Sequence, residues 1–303
     1  MAKKVLVIGG SYFIGRVFSI LAARETDFEL CVLNRGRFPL KNDRIREIKA
    51  DRHDAQSMQN ALGEEEQFDT VIDFCAYGRG DIRSMIKALA GGTKQYIYIS
   101  SCSVFAPSSG IPKKEDAPLI TEKGEYPGAE YAYGKMLLEN ELKEVCKKSG
   151  VAYTIVRPAF VYGPFNYAPR ESYYFELMAR GQEVPLPTDS HCAFSFVYVK
   201  DIARILMGCV GNAAVYDEAY NLAGEEKVTY KSLTKLLGTF ADHPLNIKEV
   251  TVDEVYRDNI PLPFPLDQDE LYDGGKAGET LGFSYTPFAH GLTETYQTFL
   301  RSR

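Results

Sequence analysis

The chain is poor in the residues that build most metal and redox sites. Its six cysteines, at 31, 75, 102, 146, 192 and 209, are scattered and form no Cys-x-x-Cys pair. Such thiols suit a reducing compartment and make no disulfide framework. Four histidines without cysteine or carboxylate spacing around them leave no zinc site. Long hydrophobic runs are missing too: no segment approaches the roughly 20 apolar residues that span a bilayer. The short apolar run after Lys3 and Lys4 enters a glycine turn and does not read as a signal peptide. A cytoplasmic protein with no membrane partner is expected. Positive charge is in deficit as well. Thirty-five Lys and Arg against 41 Asp and Glu give a formal charge of −6, which repels nucleic acid and anionic membrane unless a local patch overrides the mean. Nucleic acid is therefore not an expected partner.

What the chain does have is core material. Its 303 residues are 45% hydrophobic and 25% charged, enough for one large domain or two intimately joined ones. Apolar runs at 5–8, 28–33, 45–50, 70–74, 96–99 and 152–156 are separated by stretches that can hold helices. This alternation predicts an α/β protein with a doubly wound parallel sheet. A long helix is expected at 129–149, closed by Gly150, with Lys147 and Lys148 favourably placed at its C-terminal end. Residues 162–187 are rich in Pro, Tyr and Gly, and 253–273 in Pro and acid, as befits loops laid over a binding face. Sheet-like runs return at 194–199 and 220–222, with a helix at 201–210 between them. The expected division is a first domain at 1–160, re-entered at 194–224, and a smaller lobe made of 161–193 and 225–303.

One more absence shapes the function. The stretch GGSYFIG at 9–15 follows the first apolar run and opens a helical pattern, Ile14, Val17, Phe18 and Leu21. In a phosphate-binding turn of this kind one glycine makes the reversal, a second lets the backbone approach a pyrophosphate, and a third lets helix and strand pack closely. Gly9 and Gly15 fill the first and third roles, and Tyr12 stands in the second. Backbone N–H groups and the positive helix end remain available to an anion whatever the side chain there.

Further strings follow in order: VLNRG at 32–36, DRHD at 51–54, SSCSV at 100–104, YAYGK at 131–135, RPAFVYGP at 157–164, FVYVKDIA at 196–203, YNLAG at 220–224 and LGFSYTP at 281–287. Together they resemble the extended short-chain dehydrogenase/reductase superfamily, and within it the NAD-dependent epimerase/dehydratase family acting on nucleoside-diphosphate sugars. The resemblance implies a Rossmann-type fold, NAD(P) as cofactor and a nucleotide-sugar substrate. Long helices such as 129–149 often pair across dimers in this superfamily, which makes a homodimer an option.

Tyr131 and Lys135, four apart, share one helix face, and Glu139 continues it. An ammonium beside a phenol stabilises the phenolate and is expected to lower its pKa from about 10. By resemblance Tyr131 exchanges the substrate's hydroxyl proton, Lys135 also holds the nicotinamide ribose, and Ser101 hydrogen-bonds the reacting hydroxyl. The dehydratase branch would carry an Asp–Glu pair after the hydroxyl residue; here stand Cys102 and Ser103, so an epimerase is expected over a dehydratase. The turn residues Gly9, Ser11, Tyr12, Phe13, Ile14 and Gly15 are the implied cofactor contacts, joined by Asp51 and Arg52 at the adenine, Ala76 lining the pocket and Pro158 beside the nicotinamide.

After the second strand come Asn34, Arg35, Gly36 and Arg37, with no acid to hold the ribose hydroxyls of NAD. Arginine accommodates the extra phosphate of NADP, so NADP is favoured over NAD. On the substrate side, the asparagine that contacts the pyrophosphate in nucleotide-sugar epimerases is replaced by Phe160. Tyr162, Asn166, Tyr167 and Arg170 could form a replacement pocket, with Ser103 beside them; the same residues could instead pack a Pro/Tyr-rich lid. Two further readings stay open. Relatives lacking the middle glycine include proteins similar to chloroplast stem-loop RNA-binding proteins, which suggests an RNA-binding or regulatory protein; a nucleotide sensor without turnover is the other.

Overall fold

A computed structural model describes residues 2–62, 66–89, 92–107, 110–241 and 243–303. Strand and helix alternate through the first half: β1 (Lys4–Ile8), α1 (Phe13–Glu25), β2 (Glu29–Asn34), β3 (Ile45–Lys49), α2 (Ala55–Leu62), β4 (Phe68–Asp73), α3 (Asp81–Ala88), β5 (Thr93–Ile99), α4 (Ala129–Ser149) and β6 (Ala152–Pro158). With β10 (Glu218–Leu222) these strands form one seven-stranded sheet, ordered β10-β6-β5-β4-β1-β2-β3, with every pairing parallel. The chain builds outward from β1 to β3, then crosses back to place β4 on the other side of β1. Doubly wound sheets collect ligands in the crevice at that reversal, beyond the carboxyl ends of the strands.

The apolar runs lack alternation because both faces of the sheet are covered. Val5, Val7 and Ile97 face a cluster that includes Val17, Phe18 and Ile202. Leu6, Ile8, Tyr96 and Tyr98 face the opposite one, with Ile82, Met85 and Leu142. The expected helix at 129–149 forms with those limits. Gly150 ends it at φ +67, a left-handed conformation that glycine adopts without steric cost, and its N–H reaches the Cys146 carbonyl.

The second half adds β7 (Phe160–Tyr162), α5 (Glu171–Ala179), β8 (Val184–Pro187), β9 (Ala193–Tyr198), α6 (Val199–Cys209), β11 (Lys227–Thr229), α7 (Tyr230–Gly238), β12 (Ile247–Val250), α8 (Val252–Arg257), α9 (Gly275–Leu281) and α10 (Phe288–Arg301). The strand expected at 194–199 does not rejoin the main sheet. As β9 it pairs parallel with β7 and antiparallel with β11 in a small sheet. Its alternate residues Phe194 and Phe196 stack on Phe264 and Phe288, with centroids 4.8 Å apart in each pair, so an aromatic core holds the strand in the second lobe. What returns to the first domain is α6, packed on α1, and β10 beside β6. No helix among the described residues is long and apolar enough to cross a membrane.

Candidate active site

The glycine turn after β1 has the backbone that a phosphate site requires. Gly9 sits at φ +79. A Cβ on Gly15 would lie 2.5 Å from the Gly9 carbonyl oxygen, and one on Gly10 would lie 2.6 Å from Val7 and 2.7 Å from the Ser19 hydroxyl. All three positions therefore need glycine, and Gly10 joins the pair singled out from the motif. Tyr12 caps α1 with no side-chain hydrogen bond, and the first turn carries no acid. The positive end of a 13-residue helix is thus left to a ligand. This cradle fits a dinucleotide: Ser11 and Phe13 are buried in it, Ile14 is half-buried, and the Tyr12 side chain stands outside, 48% exposed.

Ser101, Tyr131 and Lys135 meet at the carboxyl end of β5. Tyr131 and Lys135 are one turn apart on α4, and the Ser101 hydroxyl is close enough to act on the Tyr131 phenol. The Lys135 ammonium is buried and donates to the backbone carbonyls of Ile99 at 2.8 Å and Ala76 at 3.3 Å. It also lies 4.6, 4.9 and 5.8 Å from the ring centroids of Tyr77, Tyr98 and Tyr131. Burial brings its pKa down to about 8, although Asp73 opposes the shift. The phenol behaves contrary to expectation: desolvation raises the Tyr131 pKa, and Ser101 offsets only part of this. The ammonium donates to two backbone carbonyls and lies 5.8 Å from the Tyr131 ring centroid.

The neighbouring serines divide the labour. Ser103 donates from its hydroxyl, at 3.0 Å, and from its N–H, at 3.2 Å, to the Ser101 hydroxyl, which fixes the loop. Ser100 donates at 2.6 Å to Glu139. Glu139 does not line the cleft; it is fully buried and accepts Arg157 Nε at 2.9 Å and Nη2 at 2.7 Å, tying α4 to β6.

At the other end of the cleft the adenine assignment needs correction. Arg52 turns its guanidinium inward, to Asp73 at 2.9 Å and to the Asp81 carbonyl at 2.9 Å. Asp73, at the end of β4, is fully buried and also accepts Tyr96 Oη at 2.5 Å and the Cys75 N–H at 2.9 Å. Burial opposes the charge on Arg52, yet Asp73 and Tyr96 hold its pKa above the ordinary range. An arginine so engaged supports the floor of the site and is not free to read a base. Asp51 stays half-buried at the same corner, with Oδ1 accepting the His53 N–H at 3.0 Å. Asp73 was missed in the sequence because it reads as the last residue of an apolar strand.

Beyond β2, Arg35 and Arg37 are exposed, and Asn34 accepts the Gly36 N–H at 2.6 Å. The missing acid has a neighbour: Glu47 on β3 lies 3.4 Å from Asn34 Nδ2 and accepts the Leu40 N–H at 2.9 Å, bracing this loop. Ala76 and Pro158 are buried at the ends of β4 and β6, where the motif order places them.

The expected substrate residues part company. Tyr162 is 1% exposed, packed against Phe196, Tyr198 and Phe288. It belongs to the aromatic core and cannot contact substrate. Asn166 is engaged within its own loop, donating to both Glu171 carboxylate oxygens and accepting the Ala168 N–H. Arg170 remains near the chemistry: it lies over the Phe160 ring at 5.4 Å, and its charge acts on Tyr131.

Residues 81–223 match the NAD dependent epimerase/dehydratase family. The matched span contains Ser101, Tyr131 and Lys135, and the glycine turn precedes it. A chloroplast stem-loop binding protein of 41 kDa from Arabidopsis thaliana is 29% identical over 248 residues, 77% of this chain and 62% of its own length. The chain spans less than two thirds of the length of the curated relatives it matches. Among solved structures, a UDP-N-acetylglucosamine 4-epimerase from Methanobrevibacter ruminantium in complex with UDP-N-acetylmuramic acid superposes with a TM-score of 0.81 at 21% identity, over 100% of this chain and 99% of that one. A UDP-glucuronic acid 4-epimerase from Bacillus cereus in complex with UDP-glucuronic acid and NAD gives 0.77 at 18%, over 99% and 100%. At these identities the superpositions establish the fold, a Rossmann-like α/β architecture shared with those two epimerases.

Proposed function

We propose that the protein is an NAD(P)-dependent enzyme acting on a hydroxyl-bearing or keto carbon of a nucleoside-diphosphate sugar, and an epimerase in preference to a dehydratase. The observation that carries this reading is the meeting of Ser101, Tyr131 and Lys135 at the reversal crevice, facing a glycine cradle fit for a pyrophosphate. Bound NAD(P) supplies the hydride acceptor and donor. The chain's own residues do the rest. Ser101 holds the substrate oxygen, and Tyr131 exchanges its proton. Because the Tyr131 pKa lies above its ordinary value, the phenol is protonated near neutral pH and is set to donate to a carbonyl. Acting as base, it needs the Lys135 charge, which neutralises as the pH passes about 8. Exposed Arg35 and Arg37 after β2 support a preference for NADP over NAD.

Titration of nucleotide-stripped protein with NADPH and NADH, followed by reduced-nicotinamide fluorescence, tests the cofactor. Conversion of UDP-sugars tests the substrate. Tyr131→Phe is expected to bind cofactor as the wild type does and to lose about 10²- to 10⁴-fold in turnover; full turnover in this variant would remove Tyr131 from the chemistry. A second reading, RNA binding, is supported by the stem-loop binding relative and by exposed Arg35, Arg37 and Arg44 in the same stretch of chain as the exposed Phe38 ring. It requires an affinity for an RNA hairpin that falls steeply with salt, against a net charge of −6.

A further inference from the structure

Tyr12, standing where the turn would carry its middle glycine, does not stand alone. Phe38, from the loop after β2, stacks on it with centroids 5.3 Å apart and planes at 23°. Tyr167, from the loop between β7 and α5, stacks on it at 5.1 Å and 27°, and meets Phe13 edge-on at 5.8 Å. Three segments distant in sequence thus converge on one pile of rings. The rings are not core: Tyr12, Phe38 and Tyr167 are 48%, 47% and 63% exposed. Apolar burial alone would not hold such rings together at the surface, and their position calls for another explanation.

The loop that brings Tyr167 is firmly built at its base. Asn166 donates to Glu171, Ala168 donates its N–H to Asn166, and Arg170 donates to the Val161 carbonyl at 3.1 Å. Its tip is fastened to α1 a second time, through Arg16 over the Phe165 ring at 5.2 Å. From the glycine turn the loop reaches the catalytic end of the cleft. Burial is the largest influence on the Tyr77 and Tyr131 phenols, and the Tyr167 phenol is close enough to act on both. A strap from the second lobe is thus latched on the glycine turn and α1.

We propose that Phe38, Tyr12 and Tyr167 form an aromatic clasp that must part for the dinucleotide to bind or leave, and so keeps it resident through successive turnovers. This rests on the cofactor reading above and narrows it. A cofactor that stays bound suits a reaction in which hydride is taken from and returned to the same substrate, with no net oxidant consumed. A net oxidation would have to release reduced cofactor in every cycle, and a latch on the glycine turn would slow it.

The test is a dissociation-rate measurement. Protein loaded with NADH or NADPH, whichever binds more tightly, is mixed with excess NAD or NADP, and loss of reduced-nicotinamide fluorescence is followed for wild type, Tyr167→Ala and Tyr12→Gly. Tyr12 sits at φ −137, a conformation glycine adopts readily, so the turn should survive its substitution; far-UV circular dichroism of both variants confirms folding. We expect dissociation about tenfold faster in Tyr167→Ala, the scale of losing aromatic pairs, and at least as fast in Tyr12→Gly, which loses both stacks. Unchanged rates in both variants overturn the clasp and leave the cofactor reading intact. Binding that appears only in the variants overturns retention and makes the stack a plug. Binding by none of the three proteins overturns the clasp and the cofactor reading together.

Discussion

At Lys135 the balance between burial and charge can be stated with its sign. An ordinary lysine titrates at 10.5, and in the folded protein desolvation brings this one to about 8, with Asp73 opposing. Between those values the unfolded chain binds more protons than the folded one, so stability rises with pH through the window and the cost of burying the charge is present in full below it. Relative to Lys135→Met, the ligand-free wild type should gain stability from pH 8 to 10.5, by about 3 kcal/mol at most. Urea midpoints across that range measure it, and a difference that does not change with pH would place the ammonium in water. Tyr131 moves the opposite way from the motif-based expectation because the phenol loses solvent; the nearby ammonium donates to backbone carbonyls. Residue types and their spacing showed where the pair sits; they could not show which neighbour each charge faces.

Two elements carry the site, and each depends on one contact that can be broken. The strand–helix turn closes only because Gly15 has no side chain, with the Gly9 carbonyl 2.5 Å from where a Cβ would be. Gly15→Ala should cost about 1–3 kcal/mol of stability from overpacking and weaken dinucleotide binding with it; a variant that binds NADPH as tightly as wild type would show that the turn does not hold the pyrophosphate. Helix α4 is pinned to β6 by the buried Glu139–Arg157 pair, to which Ser100 adds a hydrogen bond. Glu139→Gln leaves a buried guanidinium without its counter-charge and should destabilise by about 3–5 kcal/mol, seen as a lower urea midpoint. The strands, the limits of α4 and its glycine stop were legible because they depend on local periodicity and caps. The partnership of Arg52 with Asp73 was not: its partners lie 21 residues apart and meet through a strand crossover.

For the molecule as a whole, one buried cluster runs from Val5 and Val17 in the first domain to Phe196, Phe264 and Leu292 in the second lobe. Continuous cores unfold together. Urea unfolding followed by far-UV circular dichroism and by tyrosine fluorescence should give one coincident transition, whereas two separated transitions would mean that the lobes hold themselves independently. Taken alone, the sequence determined the alternation of strands and helices and the glycine turn, since each follows from residues close together in the chain. Only the tertiary structure decided that β9 leaves the main sheet, that Tyr162 belongs to a core, that Arg52 faces inward, and that Tyr12 meets Phe38 and Tyr167. Those outcomes depend on which distant side chains compete for the same space and the same charge, and that competition exists only once the chain has folded.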